Sequence, residues 1–239
     1  MAIIDSIIAY YKLDETSGTT VTDAVGNYNL TNSGATINQS GKIGTAYLFG
    51  DEKYLYRAST PAASTGDDLS INCWIKNPTG SSVTARLISL HTSGYHYQHY
   101  FNVGNGQFGF NGLDQATDGT LNTSWSSPTW TTNTWFMITF VFSHSGGDLT
   151  ISSYINGSFH DSDIFASKSL LAWDGLRVGK LHVETSQDWT GVADEIGIWN
   201  IALDSTAVTE LYNSGNGLTY PFGVAPEAAP LKIFDVRFG

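Results

Sequence analysis

The chain has 239 residues, 41% hydrophobic and 13% aromatic, which is ample for a packed core and excludes wholesale disorder. Only 14% are charged and the formal net charge is −11, so the clustered Lys and Arg that a nucleic-acid partner requires are not expected. A lone cysteine, Cys73, excludes an internal disulfide, and no apolar run approaches the roughly 18 residues of a membrane span, so membrane insertion is not expected either.

At this length one large all-β domain or two small domains fit. The amino terminus, MAIIDSIIAYYKLDE, has no basic n-region and Asp5 breaks its apolar run, so it does not read as a secretory signal. Ser6–Leu13 is the first predicted strand. Lys42–Phe49 and Tyr54–Arg57 follow, separated by Gly50-Asp51. LSINCWIK (Leu69–Lys76) alternates, with Leu69, Ile71, Cys73 and Ile75 on one face and Ser70, Asn72, Trp74 and Lys76 on the other. Arg86–His91, Tyr97–Val103 and Gln107–Phe110 come next. WFMITFVFS (Trp135–Ser143) is almost entirely apolar and predicts a central strand covered on both faces. Leu149–Asn156 runs into Asn156-Gly157, the strongest hairpin turn in the chain, and Ser158–His160 returns. Leu176–Lys180 and Val192–Trp199 complete a series of short strands, the pattern of a sandwich rather than of βαβ units.

One helix closes the series. Asp204 occupies the N-cap position, Val208, Leu211 and Tyr212 form one apolar stripe, and Gly215 stands where a left-handed residue would stop the helix. After Phe222 the stretch GVAPEAAP reads as an extended linker, and LKIFDVRF alternates like one more strand. Such a strand cannot stabilise itself and must pair with a sheet edge. The expected organisation is a domain over 1–222 and a linker with a docking strand over 223–239. Leu231, Ile233, Phe234, Val236 and Phe238 are the candidate assembly residues.

Three groups of residues are candidates for chemistry or binding. HTSGYHYQHYF (His91–Phe101) is rich in His and Tyr, but strand alternation sends His96 and His99 to opposite faces, contrary to a tetrahedral zinc site. Tyr95, His96, Tyr97 and Tyr100 instead offer flat rings with polar edges, suited to sugars or protein partners. Trp125 and Trp130 lie in a polar loop. They either fold back over the sandwich or form a contact surface. Asp194-Glu195 is the only adjacent acidic pair on a predicted strand, and regular alternation puts the two side chains on opposite faces. A retaining glycosidase needs two carboxyls roughly 5–5.5 Å apart on one face, so no catalytic residue is assigned.

Four segments together carry a family resemblance: YYKLDETSGTTVTDAVGNYNL (Tyr10–Leu30), GKIGTAYLFG (Gly41–Gly50), the hairpin WFMITFVFSHSGGDLTISSYINGS (Trp135–Ser158), and the closing block from LRVGK through ADEIGIWN to ELYNSGNGLTYPF. In this order they resemble the laminin G-like jelly rolls of the concanavalin A-like lectin/glucanase superfamily. Ala207 departs from the family's frequent Glu at that helical position, which weakens the helix start. The resemblance implies an all-β fold, a two-sheet antiparallel jelly-roll sandwich with one short C-terminal helix. It also implies a structural calcium held by Asp23 and Asp194.

The likeness is greatest to modules of phage structural and tail proteins. The expected function is therefore a non-catalytic, exposed virion protein, either a capsid decoration or a tail or fibre adhesion module. It would be made in the host cytoplasm and would bind other virion proteins, a second copy of itself, or a cell-surface glycan. A soluble carbohydrate-binding lectin is the first alternative, and a glycoside hydrolase the second.

Overall fold

The computed structural model describes residues 3–57, 66–80, 86–92, 95–104, 107–114, 119–123, 125–126, 128–170, 172–181 and 188–222, with backbone alone at 78–80, 92, 95–104, 107, 113–114 and 119–120. In chain order the strands are β1 (Ile7–Tyr11), β2 (Thr20–Val21), β3 (Leu30–Ser33), β4 (Thr36–Ser40), β5 (Thr45–Phe49), β6 (Tyr54–Arg57), β7 (Leu69–Gly80), β8 (Arg86–Thr92) and β9 (Tyr95–Gly104). They continue as β10 (Gln107–Asp114), β11 (Gly119–Asn122), β12 (Trp125–Ser126), β13 (Trp135–Ser145), β14 (Asp148–Ile155), β15 (Ser158–Phe165), β16 (Gly175–Val178) and β17 (Trp189–Trp199), followed by helix α1 (Ser205–Tyr212).

The strands pair antiparallel in two sheets. Sheet I runs β15-β14-β13-β7-β17-β5-β4, with β1 also paired to β17; sheet II runs β11-β10-β9-β8-β16-β6-β3-β2, with β12 paired to β10. This is the jelly-roll sandwich expected from the sequence. Leu69, Ile71, Cys73 and Ile75 of β7 and Phe136, Ile138, Phe140 and Phe142 of β13 face Leu55, Leu90, Phe110, Leu176 and Val178 of sheet II across one apolar interior. Burying each such side chain stabilises the fold by about 1.5–3 kcal/mol.

The opposite face of sheet I is a second core. Tyr10, Trp74, Met137, Val141 and Trp199 pack there beneath Val208 and Leu211 of α1, Ile3 and Phe222. Trp199 Nε1 donates to Ile3 O at 2.7 Å, and Trp74 stacks on Tyr212 with ring centroids 5.7 Å apart. Strand β13 is thus covered on both faces, as its unbroken apolar run predicts.

Asp204 caps α1 by accepting from Ala207 N at 2.8 Å. The helix stops at Asn213, whose φ of 47° is left-handed, two residues before the expected Gly215. Asn can take this conformation because its short polar side chain bonds locally, here Nδ2 to Gly217 O at 2.9 Å. The Asn156-Gly157 turn forms with φ of 53° and 76°, the positive pair that a tight hairpin needs. Strands β2, β3, β4, β11 and β12 were not legible in the sequence. Each is short, and a segment such as TINQS in β4 carries a single apolar residue, so no alternation marks it.

Candidate functional site

Helix α1 and the two ends of the described chain cover the central strands on the outer face of sheet I and leave Phe159 and Ile164 exposed at its β15 edge; the outer face of sheet II is the other broad surface. Backbone register places Thr31, Tyr56, Arg177, Ser89, Tyr100, Asn111 and Asn122 in one row across β3, β6, β16, β8, β9, β10 and β11. Ser89 is fully buried, so the row is closed over at β8 and accessible at the β3–β6–β16 end.

Local alternation builds that end. In YLYR, Leu55 enters the core while Tyr54 and Tyr56 face outward; in LRV, Leu176 and Val178 enter and Arg177 faces outward. Tyr54 and Tyr56 lie 5.6 Å apart between centroids, and the Arg177 guanidinium sits 5.0 Å over the Tyr54 ring. Lys180, 5.7 Å over the same ring, is already neutralised by Glu52 and lies 3.8 Å from Asp188. Arg177 has no carboxylate partner among the described residues; its one hydrogen bond is Nη1 to Leu181 O at 3.4 Å. Tyr56 is 38% exposed, one of three large apolar side chains that are exposed among the described residues. Sequence reasoning missed this group. The alternation marks each residue as outward, but only the pairing of β6 with β16 brings them together.

The acidic pair corrects an expectation. Register slips between Asp194 and Gly197 where β17 pairs with β7, and Glu195 adopts a left-handed φ of 51°. This bulge inserts one residue, so Asp194 and Glu195 both leave the inter-sheet core and share the outer face of sheet I, not opposite faces. Ala193 and Ile196 on either side still point inward.

The two carboxylates nevertheless meet no solvent. Asp194 accepts from Lys42 N at 2.7 Å, Ile43 N at 3.0 Å and Glu195 N at 3.0 Å. Glu195 Oε2 accepts the Tyr10 hydroxyl at 2.5 Å, and that hydroxyl also lies 3.0 Å from Leu218 O. Burial pushes Asp194 up to about 8, opposed by the Ile43 amide, and burial pushes Glu195 up to about 7, opposed by the Tyr10 hydroxyl. Burial also raises the Tyr10 phenol, which stays protonated and donates. Closed over on every side, the pair braces loops and has no path to a glycosidic bond.

Asp23 does not fit a calcium ligand. Its Oδ1 accepts from Tyr10 N at 2.9 Å and Val25 N at 3.0 Å, and its Oδ2 from Asn27 N at 3.1 Å and Tyr28 N at 3.0 Å. A carboxylate ringed by N–H donors turns positive hydrogens toward the space a cation would fill. Asp194 is filled in the same way, by different amides. Among the described residues no group of three or more His, Cys, Asp and Glu side chains could hold a metal.

Trp125 folds inward: it is 6% exposed, stacks on Phe140 and donates Nε1 to Asp163 Oδ2 at 2.8 Å. Trp130 is half-buried and packs edge-on against Phe136 at 5.0 Å and Phe108 at 6.0 Å. Both rings meet at Phe108; Trp125 belongs to the core, and the half-buried Trp130 packs against it. Tyr95, His96, Tyr97 and Tyr100 fall on β9, where their side chains lie outside the described residues. Leu231, Ile233, Phe234, Val236 and Phe238 also lie outside them.

Solved structures share this architecture. Domain 4 of AbnA, a GH43 extracellular arabinanase from Geobacillus stearothermophilus, in complex with arabinotriose, matches with TM-score 0.64 and 19% identity over 85% of this chain and 97% of its own. The binding domain of Paraclostridial Mosquitocidal Protein 1 matches with TM-score 0.67 and 18% identity over 88% of this chain. The Botulinum Neurotoxin Type G receptor binding domain matches with TM-score 0.64 and 13% identity, also over 88%. The match covers 52% of each toxin domain, about half its length. At these identities the likeness is one of fold. The search of curated proteins finds no match. A laminin G-like family model, described as the concanavalin A-like lectin/glucanases superfamily, matches residues 49–209, and the chain therefore belongs to that family.

Proposed function

We propose that the chain is a non-catalytic binding module that takes a cell-surface saccharide on the outer face of sheet II, around Tyr56. One observation carries the reading. On sheet II the exposed Tyr56 ring stands beside polar and cationic side chains, whereas the exposed Phe159 and Ile164 at the β15 edge of sheet I have no cation over them among the described residues. Sugar rings present C–H faces that pack on such rings, and hydroxyls that pair with such edges. The complex of arabinanase domain 4 with arabinotriose, and the receptor-binding names of the toxin domains, support the same reading. A glycan array tests it, with Tyr56→Ala as the control variant of unchanged melting temperature. Binding lost in the variant supports the site. No glycan bound at millimolar affinity by the native protein rejects it.

The setting we infer is the exposed surface of a virus particle, as a capsid decoration or a tail or fibre module. A surface built from Ser, Thr, Asn and Gly with only 14% charged residues supports it, as does the strand-like segment 231–238, which could pair with a neighbouring subunit. Solution mass with and without residues 223–239 tests the second point. A truncated protein that assembles as the full chain does would remove that support.

A further inference from the structure

We propose that the saccharide carries a carboxylate, and that Arg177 receives it while Tyr56 supports the sugar ring; this deepens the glycan reading and rests on it. Tyr56 and Arg177 are direct cross-strand partners of β6 and β16 on the outer face of sheet II. Side chains so placed start about 4.5–5.5 Å apart at Cβ, so one pyranose can touch both. The guanidinium is held from behind by the Tyr54 ring at 5.0 Å and by Leu181 O at 3.4 Å, which orients it without neutralising it.

The other cations of β6 and its surroundings are engaged elsewhere, Arg57 with Asn29 O at 3.0 Å and over the Tyr28 ring. Lys180 is paired with Glu52 and Asp188, and Lys53 Nζ is engaged with Thr36 Oγ1 at 3.1 Å. Among the described residues no carboxylate pairs with the partly buried Arg177 guanidinium. Its planar fork of five donors matches a carboxylate through two parallel hydrogen bonds, which a lone ammonium cannot do. A neutral sugar would leave that fork to water. A bare acidic peptide would use the fork and leave the Tyr56 ring idle.

The test is calorimetric titration of the full-length protein with a tetragalacturonate and with 3′-sialyllactose, each against its methyl ester. At least one acid should bind about tenfold or more tightly than its ester. Arg177→Ala should erase that difference, Arg177→Lys should restore part of it, and Tyr56→Ala should weaken acid and ester alike. Equal binding of acid and ester overturns the carboxylate assignment and leaves the glycan reading standing. No binding of any of the four also overturns it, and the array then decides the broader reading. Equally tight binding of a tetraglutamate peptide would show that charge alone is read, and would overturn it too.

Discussion

The indole Nε1 of Trp125 donates to Oδ2 of Asp163 at 2.8 Å, tying β12 of sheet II to β15 at the edge of sheet I. The same ring stacks on Phe140 and tilts against Phe108, so it serves as a bolt between the layers. Trp125→Ala should lower unfolding stability by about 3–5 kcal/mol. Trp125→Phe, which keeps the ring but strands the Asp163 carboxylate, should cost about 1–3 kcal/mol. Urea denaturation measures both. An unchanged midpoint accompanied by lost ligand binding would show instead that the ring is a contact surface.

Asp194 and Glu195 give the fold a pH dependence of definite sign. Unfolded carboxyls titrate near pH 3.9 for Asp and 4.3 for Glu, whereas in the fold burial raises them to about 8 and about 7. Between those limits the folded state holds more protons than the unfolded one, so stability falls as pH rises. The pair's full contribution is present below about pH 4 and is lost as pH passes through about 7 and about 8. Melting temperature should therefore decline from pH 5 to pH 8.5, and Glu195→Gln should flatten the decline, since a neutral amide still accepts from Tyr10. A melting temperature that climbs over that range would contradict the assignment.

Gly157 serves the hairpin and the helix together. Its φ of 76° suits the turn, and a Cβ built there would sit 2.8 Å from Cβ of Tyr212. Gly157→Ala should cost about 1–3 kcal/mol through backbone conformation and overpacking. It should also disturb the stacking of Tyr212 on Trp74, visible as a change in near-ultraviolet circular dichroism. Asn156→Gly, which keeps the positive φ, should leave that spectrum intact.

Calcium should not affect the fold. With Asp23 enclosed by four backbone amides, millimolar calcium or a chelator should leave the melting temperature unchanged. Asp23→Ala should destabilise by about 3 kcal/mol, since several buried amides lose their acceptor at once. A melting temperature that rises with added calcium and returns with chelator would restore Asp23 as a ligand.

Much of the architecture was legible because strand alternation is a local signal. LSINCWIK showed which face of β7 enters the core, and WFMITFVFS showed that β13 is covered twice. Asp204 marked the helix start, and Asn156-Gly157 marked the hairpin. The candidate site was less legible. The polar loop around Trp125 and Trp130 left open whether the rings fold back or form a contact surface, and packing on Phe108 takes Trp125 into the core and leaves Trp130 half-buried against it.

What the residues determined alone was the all-β character and the longer strands in their chain order, because periods of two and short apolar runs are properties of neighbouring residues. Tertiary structure decided the rest. A single inserted residue at Glu195 moved it onto the same face as Asp194, which no alternation rule could show, since a bulge exists only relative to the strand it pairs with. Likewise, Tyr56 and Arg177 became neighbours only when β6 and β16 found each other across the sheet. A binding surface on a sheet is a row across strands, and a sequence writes only along them.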